Sequence, residues 1–120
     1  MVMEGCTLEI TGRVESAPYI EMTRQAIANS ARDITVEGDW SNGAFFLASA
    51  ALGNAVTVDN LNPNSVQGDR KIASLLPEFN KYAEIDGANI PDLIPILSVV
   101  AAASKGAIFT NIARLRLKES

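Results

Sequence analysis

Asn89-Ile-Pro-Asp-Leu-Ile-Pro-Ile-Leu-Ser-Val-Val-Ala-Ala-Ala-Ser-Lys-Gly-Ala-Ile-Phe-Thr110 is the stretch from which the rest of the chain is read. Pro91 and Asp92 are residue types that open helices. An apolar run from Leu93 to Ala103 follows, Gly106 supplies a stop, and Ile108-Phe-Thr110 has strand composition. The run is apolar nearly all round, and such a helix must be covered on every side. One sheet layer cannot cover it, so the chain taken alone is expected to expose apolar surface of the kind that marks an interface or a missing partner domain.

Working outward, Tyr82 to Ile85 reads as a strand before this helix. Asp39 to Val58 then repeats the order of acidic residue, Ala-rich helix, glycine and β-branched strand. Asp39 to Gly53 and Asp92 to Gly106 are each separated by 14 positions. Such self-similarity fits stacked α/β units, although any two βα units share a general likeness. Further strands are expected at Cys6–Thr11, Ile34–Val36 and Val56–Val58. A helix is expected from Ser16 to about Ser30 behind a Ser-Ala-Pro start, and another from Asp69 toward Leu76. Asp39 or Ser41 is the expected cap of the helix that stops at Gly53. The fold class is therefore α/β.

At 120 residues the chain fits one domain. With 48% hydrophobic and 20% charged residues it has globular composition. A net charge of -4 disfavours nucleic acid as a partner, since that needs a basic surface, and the positive charge is local to Arg114, Arg116 and Lys118. The lone Cys6 cannot form an internal disulfide, which fits a reducing compartment. The absence of His removes Ser-His triads and His-containing zinc sites. No metal and no cofactor are expected. Leu93–Ala103 is far short of the roughly 18 to 20 residues of a membrane span, and Met1-Val-Met-Glu-Gly lacks the regions of a signal peptide. A cytoplasmic protein with no membrane partner is the expectation.

Several side chains admit two readings. Asp92, between a proline and a helix, fits either a cap or a carboxylate aimed at a ligand, with capping the simpler choice. Ser16 fits a helix cap better than a ligand contact, and Tyr19 offers a second hydroxyl. Lys118 and Glu119 read first as surface charges. Asn64-Ser-Val-Gln-Gly-Asp69 has the look of a phosphate loop but lacks the G-x-x-x-x-G-K pattern. Trp40 reads as a packing residue, since no basic stripe accompanies it.

Five motifs stand in order over nearly the whole chain: Glu15-Ser-Ala-Pro-Tyr-Ile-Glu-Met-Thr23, Val36-Glu-Gly-Asp-Trp-Ser41, Asn64-Ser-Val-Gln-Gly-Asp69, Asn89-Ile-Pro-Asp92 and Arg114-Leu-Arg-Leu-Lys-Glu-Ser120. Together they resemble the 3-phosphoshikimate 1-carboxyvinyltransferases, also called 5-enolpyruvylshikimate-3-phosphate synthases. The last motif separates them from the related UDP-N-acetylglucosamine enolpyruvyl transferases. The resemblance implies repeated βαβαββ units in two similar domains with the substrates in the cleft between them. Residues 1–32 resemble the end of one domain, and residues 33–120 the start of the return into the other. It implies that Ser16 and Tyr19 contact shikimate 3-phosphate, that Asp92 accepts the proton of its 5-hydroxyl, and that Lys118 is a cation beside that hydroxyl. Glu119 matches the acid that exchanges a proton with the methylene carbon of phosphoenolpyruvate. A neighbouring Lys and a helix N-terminus favour ionised Asp92, so its expected role combines orienting the hydroxyl with accepting its proton.

The chain also departs from the family pattern. The last motif continues in the family into Asp and Arg, and the N-terminal Lys and Arg ligands, a Ser-Ser-Gln segment and C-terminal cationic ligands have no counterpart here. Arg114 stands where some members carry an Asn ligand. Family members have extra residues between Ala28 and Asp33 and between Leu76 and Ile85. The chain is therefore expected to be a central fragment of such a transferase, inactive alone. The alternative is a noncatalytic α/β module, natural or engineered, for folding, assembly or phosphate-ligand binding, and on either reading the exposed apolar surface offers a route to self-association.

Overall fold

The computed structural model describes residues 7, 9–33 and 35–117. Two strands, β1 (Ala83–Asp86) and β2 (Ala107–Thr110), pair in parallel with Ala83 opposite Ala107 and Asp86 opposite Thr110. Parallel neighbours require a crossover, and α4 (Ile94–Ala103) supplies it. The fold is α/β. Ala83 and Ile85 face inward from β1 while Glu84 and Asp86 face out, the period-2 alternation of a strand covered on one side.

Helix α2 (Trp40–Ala51) packs against α4, and a helical run from Gly68 to Asn80 closes the core from a third side. The core joins Trp40 and Ala44 of α2 to Ile72, Phe79, Leu93 and Leu97. Full burial of a side chain such as Leu97 stabilises the fold by about 1.5–3 kcal/mol. The Gly68–Asn80 run is three short pieces rather than the single expected helix: a 3-10 turn (Gly68–Lys71), α3 (Ile72–Leu75) and a second 3-10 turn (Leu76–Asn80). Pro77 lies in the first turn of the last piece, and its missing N–H cannot extend the α-helical ladder.

Helix α2 starts and stops as its sequence indicates. Asp39 accepts from Ser41 N at 2.9 Å and from Asn42 N at 3.5 Å. At the other end Gly53 takes φ +96° and Asn54 N donates back to Ser49 O at 3.2 Å, which ties off the last carbonyls.

Among the described residues several expected strands do not form. Thr35–Val36 and Val56–Val58 are irregular, with Ile34 outside the described residues. The region is joined instead by Gly38 N donating to Asn60 O at 3.1 Å. The strand expected at Cys6–Thr11 falls partly outside the described residues, and Thr7 and Glu9–Thr11 are irregular. The same kind of junction recurs beyond β1, where Gly87 N donates to Thr110 O at 2.9 Å. Asn60 (φ 64°) and Asn111 (φ 56°) both take the left-handed conformation where the chain turns away.

Helix α1 (Ala17–Asn29) buries none of its residues. The Cα radius of gyration, 16.6 Å, exceeds the roughly 14 Å of a compact domain of this length. Helix α4 is covered on only part of its circumference: Leu97 is fully buried, whereas Val99 is 61% exposed. Beside it Phe45, Leu52, Pro95, Ile96 and Val99 line an apolar groove of about 370 Å³. Among the described residues no helix is long and apolar enough to cross a membrane.

Candidate active site

The carboxyl ends of parallel strands leave a crevice where loops and helix starts converge, and open α/β sheets place ligands there. In this chain β1 ends into residues 87–92 and β2 ends into residues 111–117. The start of α1 lies across both. Ser16 N donates to Ala88 O at 3.2 Å, and Ala17 N donates to Asn89 Oδ1 at 3.3 Å. Pro18 sits against Gly68, where a Cβ would stand 3.0 Å from the proline ring and 3.1 Å from Asn89 O. These contacts fix the first turn of α1 and aim Tyr19 at Asp92. The Tyr19 hydroxyl donates to Asp92 Oδ2 at 2.6 Å across 73 positions of sequence.

Ser16 is not the side-chain cap that its sequence context suggests. It is buried, 7% exposed, in the left-handed conformation (φ 57°), and its hydroxyl makes no capping bond. Its Oγ accepts instead from Arg114 Nη1, while Arg114 Nε lies 3.9 Å from Glu15 Oε2. Asn89 satisfies the helix N-terminus that Ser16 leaves. Asp92 likewise is not the N-cap of α4: it lies within the 3-10 turn Pro91–Leu93, and that turn and α4 both begin without a side-chain cap.

Tyr19 is 40% exposed, and the partial burial of its phenol raises it above its ordinary pKa, with further upward contributions from Asp69 and Asp39 that Arg114 partly offsets. Three acidic starts therefore surround one phenol: Asp39 ahead of α2, Asp69 in the Gly68–Lys71 turn and Asp92 ahead of α4. Asp69 is 4% exposed and accepts a hydrogen bond from Ser41 Oγ. Among the described residues no cluster of three or more Asp, Glu, His or Cys side chains is spaced to hold a metal ion.

A polar hub supports this arrangement from behind. Glu37 accepts from Asn62 Nδ2 at 2.9 Å, from Gln67 Nε2 at 2.9 Å and from Ser65 Oγ. These donors hold the Glu37 carboxyl below its ordinary pKa, Ser65 foremost, then Gln67 and Asn62. The Asn64–Asp69 segment is thus bound to the chain itself, and the hub carries Asp69 to the site. Trp40 is a packing residue, 5% exposed, with Nε1 donating to Asn62 O at 3.0 Å.

The structure brings together Ser16, Tyr19 and Asp92, three of the five residues proposed from sequence. Lys118 and Glu119 lie outside the described residues. Arg114, Asn89 and Asp69 join the site without having been singled out for it. All three had a signal, since each falls within a quoted motif, and Arg114 also stands where some family members carry an Asn ligand.

The sequence pattern of the EPSP synthase (3-phosphoshikimate 1-carboxyvinyltransferase) family matches residues 1–120. Proteins named 3-phosphoshikimate 1-carboxyvinyltransferase match at similar levels. That of Methanocorpusculum labreanum is 32% identical over 151 residues, covering 94% of this chain and 36% of the relative. That of Brachyspira hyodysenteriae is 35% identical over 152 residues, covering 92% and 36%. The Clostridioides difficile protein is 33% identical over 149 residues, covering 92% and 34%. This chain spans about a third of the length of the curated relatives it matches. In the first of these, 94% of 120 residues is about 113, so about 38 of the 151 matched positions have no residue in this chain. The five motifs and the match along the full chain agree: the protein belongs to the EPSP synthase (3-phosphoshikimate 1-carboxyvinyltransferase) family.

Proposed function

We propose that this chain forms part of the substrate cleft of a cytoplasmic transferase that moves the enolpyruvyl group of phosphoenolpyruvate to the 5-hydroxyl of shikimate 3-phosphate. The observation that carries the reading is the meeting of Tyr19 with Asp92 at 2.6 Å, at the carboxyl ends of the two parallel strands. Residues 1–32 bring Ser16 and Tyr19 from one domain of the parent fold, and residues 33–120 bring Asp92 from the other. The matched junctions Gly38–Asn60 and Gly87–Thr110 support a reading in which the two similar stretches descend from one repeated βαβαββ-type unit.

In this reaction Glu119 gives a proton to the methylene carbon of phosphoenolpyruvate and leaves a cationic centre. The 5-hydroxyl attacks that centre while Asp92 takes its proton, and removal of a methyl proton then expels phosphate. Lys118 stands beside the hydroxyl, and Ser16 and Tyr19 hold the phosphorylated ring. Stabilising the charges that develop needs groups from both walls of the cleft, so the 120-residue chain alone is inactive.

Phosphate release with both substrates tests this reading. The chain alone gives none, whereas turnover within the ordinary enzyme range of about 1 to 1000 per second would refute its inactivity. Within a complete enzyme, Asp92→Asn lowers turnover, and unchanged turnover excludes the base role. A second reading, a noncatalytic module that pairs with its own copy, draws on the exposure of Phe45 and Val99 at the α2–α4 groove. Sedimentation of the chain over a range of concentrations separates a monomer from such a dimer.

A further inference from the structure

Tyr19 is so far one of the residues that touch the phosphorylated ring. The geometry points to a second role, and we propose that Tyr19 is a positioning residue that holds the Asp92 carboxylate ionised and oriented for the proton it takes. The inference rests on the functional reading above, because it assigns how the base of that reaction is set.

The bond itself is the first ground. At 2.6 Å from Tyr19 Oη to Asp92 Oδ2 it has the length of an O–H···O⁻ hydrogen bond, the charge-assisted kind, roughly twice as strong as a neutral one. The donor is also anchored. Ser16 N on Ala88 O and Ala17 N on Asn89 Oδ1 fasten the residues just before Tyr19 to the loop that carries Asp92. Pro18 packed on Gly68 adds a third point. Phenol and carboxylate therefore belong to one braced unit, although they lie on different parts of the chain.

The surrounding charges favour a phenol that stays protonated. Partial burial of the phenol disfavours a tyrosinate most, and Asp69 from the Gly68–Lys71 turn and Asp39 from the start of α2 act in the same direction. Arg114, which lies after β2 and is paired with Ser16 and Glu15, opposes them only in part. Tyr19 thus remains a donor through the neutral range. Donation stabilises the carboxylate, so Asp92 is held in the form that can accept a proton.

Carbon-13 NMR of the chain labelled at Asp Cγ and Tyr Cζ tests this without requiring turnover. In Tyr19→Phe the Asp92 ionisation midpoint rises, by about a tenfold change in its dissociation constant for a hydrogen bond to a charged group. Tyr82→Phe, which removes the phenol of an exposed residue, leaves it unmoved. In the unmodified chain the Tyr19 Cζ resonance follows the Asp92 titration, and Asp92→Asn abolishes that inflection. A folded Tyr19→Phe protein with an unmoved Asp92 midpoint overturns the proposal, as does a Tyr19 resonance blind to Asp92. A moved midpoint in a chain that, in a separate titration, binds no shikimate 3-phosphate supports the pairing and counts against the functional reading instead.

Discussion

Gln67 holds Trp40 by its backbone: Gln67 Oε1 accepts from Trp40 N at 2.8 Å, while Gln67 Nε2 donates to Gly38 O at 3.0 Å and to Glu37 at 2.9 Å. One side chain therefore satisfies a donor and an acceptor at the entry to α2, where backbone groups lack helical partners. Gln67→Ala leaves these groups to water or unpaired. It is expected to destabilise the fold by about 1–3 kcal/mol, read as a lower urea midpoint at unchanged slope. A midpoint equal to that of the parent would show that the hub contributes nothing to stability.

The carboxyl of Glu37 makes the same hub sensitive to acid. Its folded pKa is depressed by bonds to Ser65, Gln67 and Asn62, so the unfolded chain takes up a proton at a higher pH than the folded one does. The contribution is fully present above the ordinary glutamate value of about 4.3 and is lost as pH falls through the lower folded value. Compared with Glu37→Gln, the parent should be more stable at pH 7, and the gap should close between about pH 4.3 and the acid end of the titration. A gap that stays constant over that window would place the stabilisation elsewhere than in the charge.

Gly38 and Gly87 each donate a backbone N–H across a junction of the chain but differ in what an added methyl would meet. At Gly38 a Cβ would stand 2.3 Å from Asn60 O, a backbone atom that already accepts the Gly38 N–H. At Gly87 it would meet two side-chain atoms, Ile94 Cδ1 at 2.9 Å, which can swing away about χ2, and Ile112 Cγ2 at 2.7 Å, which moves only with the stiffer χ1. Overpacking costs about 1–3 kcal/mol where neighbours can shift. Gly87→Ala should fall in that range and Gly38→Ala above it. Equilibrium unfolding of the two variants ranks them, and the reverse order would mean that the Gly38 junction is not tight.

Most local signals in the sequence read correctly and the long-range ones did not, the broken helix from Gly68 to Asn80 and the uncapped start of α4 being the local exceptions. Asp39 capping α2, Gly53 ending it and the β1–α4–β2 order depend on neighbours within a few positions, so residue types suffice to find them. The strands expected at Ile34–Val36 and Val56–Val58 needed partners along their whole length. Backbone pairing is a tertiary event that β-branched composition does not guarantee. Ser16 shows the same limit at the site. A serine before Ala-Pro reads as a cap, and nothing nearby in sequence reveals that Arg114, 98 positions away, claims its hydroxyl. Tyr19 and Asp92 were identified through a family pattern, but their contact with each other follows only from how α1 crosses the strand ends.

Helix α4 illustrates how far an apolar sequence predicts burial, and it yields a paired test. Leu97 is fully buried in the core, and its truncation to Ala leaves a cavity as well as removing apolar contact. Leu97→Ala should therefore cost about 2–5 kcal/mol. Val99 lies two residues on, apolar like Leu97, yet 61% exposed beside the groove with Phe45. In a monomer Val99→Ser should alter stability by no more than about 0.5 kcal/mol, because a surface substitution removes little packing. If a second copy or the remainder of a parent domain covers that groove, the change instead weakens association and makes the apparent stability depend on protein concentration or on the presence of the partner. Denaturant unfolding of both variants at two protein concentrations checks this: a Val99→Ser loss as large as that of Leu97→Ala in a monomer would contradict the exposed placement of that face.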